Sequence, residues 1–436
     1  MDMLKDNVRR LFFRCLAATV GSALIDSVFS ILDAVMIGRY HGPSGSAVLS
    51  VFGPVWAAAY SIGLMSAVGG SALYGNARGR DDQESAREYF TLTLVFGGVF
   101  CVLVLPAMGL FRTPMLRFFG ADETILSLCL QYLSPVFFAV PCTVFITILA
   151  AFLRNDGAPI LPSRAVIAGG CVHILGDYLL IFRLDLGILG AGIALAAGLF
   201  TNIAVMMTHF FSKKNTLRLT RVRWSKLPGL VRTGFPSAVN DLALGIIAII
   251  LNRQIRRYLD IDALAAYGIM IQIAITVQSA AYGIAQAAQP ILSANYGAGS
   301  HDRVRTCLRY GIWTSFALGA AVTAVIFGIP DTLVSWFTTP TQHLLETAPR
   351  IIRAYSLSFL FLPFNIFAAV FFQAIMKERV AAAASLARSV VISGILALLL
   401  PLLFGAGSLF YAIPLTELLV CGFLLFSIKK TETEWE

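Results

Sequence analysis

The chain has 436 residues, of which 58% are apolar and only 13% are charged. A soluble domain carries about a quarter of its residues as charged side chains, so this composition excludes an ordinary water-soluble domain and favours a protein embedded in lipid. The formal net charge of +9 does not indicate a nucleic-acid partner, because most Lys and Arg residues flank apolar stretches, as they do in membrane proteins. No nucleic-acid partner is expected.

Apolar stretches long enough to cross a bilayer recur along the whole chain. A transmembrane helix needs about 20 predominantly apolar residues, whereas the strands of a membrane barrel are about half as long and alternate in polarity. The sequence therefore predicts twelve transmembrane helices, over residues 11–38, 46–73, 88–111, 124–153, 160–182, 186–211, 234–256, 264–294, 308–329, 346–374, 380–404 and 408–428.

The two halves of the chain follow one plan. When the sequence is shifted by half its length, Arg14 meets Arg232, and Gly79 meets Gly297 in the loop expected after the second helix of each half. Six helices return the chain to its starting side, and such parallel repeats are related by an axis along the membrane normal. We expect an all-α polytopic membrane protein of two bundles with pseudo-twofold symmetry: an N-terminal six-helix bundle (1–211), a basic cytoplasmic linker (212–232) and a C-terminal six-helix bundle (233–436).

The distribution of basic residues predicts the orientation. Lys and Arg are concentrated at the N-terminus, in the linker and after the last helix, and the positive-inside rule then places both termini in the cytoplasm. We expect a multi-pass monomer in the lipid bilayer of a bacterial cytoplasmic membrane. The seven cysteines form no C-x-x-C pair, so neither a metal site nor a disulfide framework is predicted from them.

The first helix carries a polar stripe. At about 100° per residue, Ser22, Asp26, Ser30 and Asp33 point within about 80° of one another. An ionisable side chain in hydrocarbon is costly and by default marks a functional pathway. We expect the stripe to face the protein interior, with Asp33 and Asp26 coupling transport to a proton or another cation. Two alternatives stay open: Asp33 could cap a helix irregularity, and Asp26 could be a solvated cavity residue without a specific role.

The fifth helix holds a second polar pair. His173 and Asp177 are four residues apart and share a face. Asp33 and Asp177 each precede an arginine by six residues, so both lie about 9 Å inside the outer edge at 1.5 Å per residue. Two acids at one depth can meet around a cation or share a proton. His173 is expected to hydrogen-bond Asp177, or else to form a helix–helix contact; a metal-ligand role is not predicted, because no second His or Cys lies near it in sequence.

Polar residues of the second half are candidates for lining a substrate cavity. Asp241 and Glu417 could attract cationic cargo or make packing contacts. Gln272 and Gln286 lie on one face of the eighth helix, where cavity lining and interhelical hydrogen bonding are both open. Arg388 is expected to extend to the cytoplasmic surface.

Several catalytic motifs are missing from the sequence. There is no G-x-x-x-x-G-K loop for ATP, no H-E-x-x-H and no G-x-S-x-G. The chain is therefore predicted to be a transporter and not an enzyme, with no cofactor other than a coupling ion, H⁺ or Na⁺.

Four motifs resemble those of the MATE (multidrug and toxic compound extrusion) family, in the bacterial branch of DinF-like and MepA-like exporters. They are residues 31–39 (ILDAVMIGR), 175–182 (LGDYLLIF), 285–290 (AQAAQP) and 295–299 (NYGAG). The resemblance covers nearly the whole chain. It implies a V-shaped twelve-helix exporter driven by inward flow of H⁺ or Na⁺, with the coupling acids of the family at Asp33 and Asp177.

Two positions depart from the family pattern. His173 stands where the family usually has Asn, and Leu195 stands where it often has Thr. A lost hydroxyl and a gained imidazole favour H⁺ over Na⁺ as the coupling ion.

The function expected is therefore secondary active multidrug efflux, in which amphipathic, cationic drugs or metabolites are exchanged for H⁺ or Na⁺ by alternating access. The main alternative is a flippase for a lipid-linked oligosaccharide or another lipid. A flippase for such a substrate would need a cationic cavity for pyrophosphate, whereas the deep charges here are mainly acids. A channel or a membrane enzyme is the remaining alternative.

Overall fold

The computed structural model of the protein describes residues 1–337 and 342–435. Within these residues all regular structure is helical, and twelve helices are long and apolar enough to cross a membrane. The predicted all-helical membrane architecture is confirmed. In chain order, helices α1 to α12 are Val8–His41, Pro43–Gly79, Gln83–Leu110, Leu126–Asn155, Leu161–Arg183, Gly187–Phe211, Trp224–Tyr258, Ile261–Gly297, His301–Gly328, Gln342–Ala374, Glu378–Phe404 and Ala406–Thr433.

Two predicted loops are in fact helix. Gly79 and Gly297 are the last residues of α2 and α8, so each helix continues past its apolar stretch. The preceding turns are buried, and their amides are satisfied within the helix: Asn76 and Asn295 each donate their Nδ2–H to the carbonyl four residues earlier, at 3.0 and 2.8 Å. Hydropathy located the apolar stretches correctly but could not show that protein continues to cover the helix beyond them.

The described chain divides into two compact units. Residues 1–6 and 17–234 form the first unit, and residues 7–16 together with those from 235 onward form the second. The first turns of α1 pack in the second unit, where the Phe12 ring stacks on Tyr310 with centroids 6.0 Å apart.

The basic segment 212–232 belongs to the first unit, where polar contacts hold it to the helices. The backbone N–H of Thr216 donates to Asp156 Oδ2 at 3.0 Å. Further on, Arg223 Nε lies 2.7 Å and Lys226 Nζ 2.6 Å from the two oxygens of Glu88, whose side chain is only 5% exposed. Opposite charges therefore fix the segment to the ends of neighbouring helices.

Each unit has its own core. In the first unit α2 packs along α4, and α5 packs along α6. In the second unit α10 packs on α8, and its Phe364 and Phe367 rings are fully buried. A side chain at Gly311 of α9 would overlap the Phe367 ring. In lipid, close van der Waals packing and interhelical hydrogen bonds hold helices together, since lipid tails are as apolar as the side chains.

Candidate functional site

Glycines of α5 bring three helices of the first unit together. A Cβ at Gly169 would lie 2.5 Å from the carbonyl oxygen of Gly198 on α6, and a Cβ at Gly170 would overlap the Phe29 ring of α1. A Cβ at Gly198 would in turn lie 2.8 Å from the Cβ of His173. Small residues let helix backbones approach this closely, so α1, α5 and α6 meet next to His173.

Asp33 of α1 meets His173 and Asp177 of α5. His173 Nε2 lies 3.3 Å from Asp177 Oδ2 and 3.7 Å from Asp33 Oδ1. Each of the three residues offers one possible ligand atom, and these three atoms lie within 4.8 Å of one another. The structure thus brings together the two acids that the sequence placed at one depth, with the imidazole beside both.

This cluster holds one buried and two half-buried side chains and is short of hydrogen bonds. Asp177 is 0% exposed, and within the described residues neither of its oxygens accepts a hydrogen bond. The same holds for Asp33 Oδ1 and for His173 Nε2. An isolated buried carboxylate is costly unless a proton, a cation or donors compensate it. Two adjacent carboxylates increase that cost, so the cluster is suited to hold positive charge.

A cavity of about 340 Å³ adjoins the cluster. Asp26 and Ser30 line it together with Asp33 and His173, so the polar stripe of α1 faces a cavity as expected. Trp56, Tyr132 and Asn202, which the sequence did not single out, also line it. Asn202 offered a signal, as a polar residue within an apolar helix. The two aromatic residues offered none, because most such side chains in this chain pack in cores.

Two further residues define the surroundings of the cluster. Leu195 lines the same cavity, so an apolar side chain stands where the MATE pattern often has a hydroxyl. Ser22, at the far end of the stripe, is buried, and its Oγ–H donates to Ser163 Oγ of α5 at 3.1 Å. Ser22 therefore ties α1 to α5, and is not among the residues that line the cavity.

The helix is irregular directly after Asp177. Residues Tyr178–Arg183 form a π-helical segment at the end of α5, with the Leu184 N–H donating to the carbonyl five residues earlier, at 2.9 Å. Single π turns in α-helices are frequent at functional sites. The widened turn follows the most buried acid of the cluster.

The second unit holds a buried ion pair. Arg388 Nε of α11 donates to Glu417 Oε1 of α12 at 2.6 Å, and Asn365 Nδ2 donates to Glu417 Oε2 at 2.7 Å. The Arg388 and Glu417 side chains are 9% and 3% exposed. The prediction that Arg388 reaches the cytoplasmic surface is therefore wrong: a nearby carboxylate compensates the guanidinium inside the unit, so it need not extend to water.

The other candidates of the second half differ in their exposure. Glu417 lines a small cavity of about 20 Å³ beside Asn240, and both of its oxygens are engaged. Asp241 and Gln286 are half-buried, while Gln272 is exposed. Their proposed contact with cargo stays a prediction.

Comparisons with known proteins identify the family. Residues 18–179 and 236–399 match the model of the MatE family. The chain is 25% identical over 367 residues to the probable multidrug resistance protein YoeA of Bacillus subtilis, covering 82% of this chain and 79% of that protein. It is 24% identical over 323 residues to the multidrug export protein MepA of Staphylococcus saprophyticus, covering 73% and 71%.

Solved structures share the fold. An outward-facing multidrug resistance MATE family transporter superposes with a TM-score of 0.90 over 100% of this chain and 98% of its own, at 19% identity. A transporter from Pyrococcus furiosus superposes with a TM-score of 0.88 over 98% and 97%, also at 19% identity. Because the family model matches most of both halves, the resemblance noted in the sequence is confirmed, and the chain belongs to the MatE family of membrane transporters.

Proposed function

We propose that the protein is a secondary active multidrug exporter, which exchanges amphipathic, cationic small molecules for H⁺ or Na⁺ by alternating access. One observation carries the proposal: half-buried Asp33 and His173 and fully buried Asp177 form a cluster that lacks compensating donors, at the edge of a cavity that a small molecule could enter. The names of the relatives YoeA and MepA, a multidrug resistance protein and a multidrug export protein, support the cargo class.

The coupling follows from the cost of buried charge. With both carboxylates ionised, the cluster favours a proton or a cation that neutralises it. A bound cation can shift the equilibrium between two transporter conformations only through a difference in its affinity for the two. The same bound cation reduces the negative charge that attracts a cationic cargo to Asp26 and Asp33. Mutual exclusion of this kind makes the exchange obligatory.

The cavity lining supports cationic, amphipathic cargo. Its acids are Asp26 and Asp33, and aromatic faces are supplied by Trp56 and Tyr132. Aromatic rings attract cations and also cover apolar surface. Among the residues lining this cavity the one basic side chain is His173, which disfavours a flippase that must bind the pyrophosphate of a lipid-linked sugar.

The setting proposed for the exporter is the bacterial cytoplasmic membrane. The excess of Lys and Arg in segment 212–232 and near both chain ends supports cytoplasmic termini. We propose that a monomer carries out the exchange, because the candidate cluster is complete within one chain.

The test uses purified protein in proteoliposomes with a fluorescent cationic dye, under a pH gradient or a Na⁺ gradient imposed separately. Asp33→Asn and Asp177→Asn should each reduce ion-driven dye transport to the level of protein-free vesicles, because an amide cannot exchange a proton or balance a cation. Asp26→Asn is the matched comparison, since it removes a carboxylate of the same cavity outside the three-residue cluster. It should retain a measurable response to the gradient. Wild-type transport by both cluster variants would overturn the proposal.

A further inference from the structure

We infer that Asp33, His173 and Asp177 form a binding site for one divalent first-row transition-metal ion, of which Zn²⁺ is the representative. The three side chains supply one nitrogen and two carboxylate oxygens from two helices of the first unit. The binding itself is independent of the proposed function; only its consequence for transport, competition with the coupling cation, rests on that function.

The distances fit a small metal ion. Zn²⁺ binds His nitrogen and carboxylate oxygen at about 2.0–2.2 Å with tetrahedral geometry, which separates neighbouring ligand atoms by about 3.3–3.6 Å. His173 Nε2 lies 3.3 Å from Asp177 Oδ2 and 3.7 Å from Asp33 Oδ1. Both distances from the imidazole are therefore within a few tenths of an ångström of the tetrahedral values, and the two carboxylates lie within 4.8 Å of each other.

The ligand atoms are free to bind. Asp177 is fully buried, yet among the described residues neither of its oxygens accepts a hydrogen bond, and His173 Nε2 and Asp33 Oδ1 are equally unsatisfied. Native proteins leave few buried polar groups without a partner. One ligand atom from each residue lies within 4.8 Å of the other two, and unsatisfied atoms this close together indicate that a further group belongs among them.

Charge and ligand type select the class of ion. Two carboxylates and a neutral imidazole carry two negative charges, which one divalent ion neutralises completely. Ca²⁺ and Mg²⁺ prefer sites made of oxygen ligands, whereas imidazole suits Zn²⁺, Cu²⁺, Fe²⁺ and Ni²⁺. The nitrogen of His173 therefore favours the transition metals over the hard cations.

The surroundings provide access and room for a remaining ligand. Asp33 and His173 line the cavity of about 340 Å³, and their side chains are 15% and 12% exposed. Three protein ligands with an open fourth position are the arrangement of many accessible zinc sites, where water completes the coordination. A metal ion can thus enter from the cavity, while Asp177 behind it is closed to water.

Binding can be measured on the purified full-length protein in detergent with Co²⁺, whose visible absorption bands report coordination by protein ligands, and with Zn²⁺ as competitor. The wild-type protein should take up one Co²⁺ with intense visible bands, and one equivalent of Zn²⁺ should displace it. His173→Asn should weaken Co²⁺ binding at least tenfold, since even changes to residues that only support metal ligands cost about 10- to 100-fold. His173→Gln provides a second variant should the first not fold.

His343→Asn is the matched control. His343 is an exposed imidazole 3.0 Å from the carboxylate of Asp260, and it could bind metal adventitiously at the protein surface. Removing it should leave the Co²⁺ bands and affinity unchanged. Absence of stoichiometric Co²⁺ binding by the wild-type protein, or binding unaffected by both His173 variants, would overturn the inference.

The outcome of the metal-binding test is independent of the outcome of the transport test. If no metal binds while Asp177→Asn still abolishes ion-driven transport, the metal site is refuted and the proposed function stands. If metal binds through His173 while Asp33→Asn and Asp177→Asn both transport normally, the metal site exists and the proposed coupling role is refuted.

Discussion

The ion pair between Arg388 and Glu417 allows a quantitative prediction about the stability of the second unit. Glu417→Gln keeps nearly the same shape and the hydrogen bond from Asn365, but it leaves the Arg388 guanidinium without a counter-ion. Because the two side chains are 9% and 3% exposed, bulk water cannot replace the lost charge; the adjoining cavity of about 20 Å³ has room for one water molecule, which is not a counter-ion. Breaking a buried pair in this way costs about 3–5 kcal/mol, which is roughly a hundred- to several-thousand-fold in the ratio of folded to unfolded protein.

The double variant Arg388→Met/Glu417→Leu should recover most of this loss. Replacing both members of a buried pair by apolar residues of similar size is often neutral or stabilising. Asn365 would not be stranded, because its Nδ2 also donates to the backbone carbonyl of residue 417 at 2.8 Å. Asn240 keeps the hydrogen bond from its Nδ2 to Ser385 Oγ, at 2.9 Å, and loses only the one that its Oδ1 accepts from Arg388, at 3.3 Å.

The assay is unfolding of the purified protein in mixed micelles with increasing fractions of SDS, followed by loss of helical circular dichroism. The expected order of midpoints is wild type, then the double variant close to it, then Glu417→Gln well below. If Glu417→Gln unfolds at the wild-type midpoint, or if the double variant is less stable than the single one, the energy assigned to the pair is wrong.

Two further predictions concern the cluster and a helix end. Gly198→Ala places a Cβ 2.8 Å from the Cβ of His173, so it should separate α5 from α6 and abolish ion-driven dye transport in proteoliposomes without loss of protein from the membrane. Gly268→Ala is the control, because nothing lies within 4 Å of a Cβ at that position, and this variant should transport normally. Equal activity of the two variants would contradict the packing argument. Asp260 caps α8 by accepting the Ala263 N–H at 2.8 Å, a bond that lowers the pKa of its carboxyl below the usual value. Asp260→Ala should therefore lower the free energy of unfolding by less than about 1 kcal/mol at neutral pH. The stabilisation by the ionised cap is present above about pH 4 and is lost as the pH falls through the lowered pKa of the folded state. A difference in thermal midpoint between variant and wild type that does not change with pH would count against the cap.

The sequence alone determined the membrane class, the twelve helices and the resemblance between the halves. These features are local or periodic: a run of apolar residues specifies a membrane helix wherever it packs, and the spacing of Asp26 and Asp33 specifies a common face. The same logic put Asp33 and Asp177 at one depth. It could not show that His173 lies within 4 Å of both acids, since that depends on how closely α1 and α5 approach.

Only the tertiary structure decided which residues from different helices meet. Adjacent glycines at positions 169 and 170 set the distances of α5 to two neighbouring helices, and these distances create the cluster. In the sequence Arg388 and Glu417 are unrelated charged residues, yet in the structure Arg388 of α11 forms an ion pair with Glu417 of α12. The charge on an isolated side chain specifies that it needs a partner in lipid. Which partner it finds is a property of interhelical packing, which no single helix encodes.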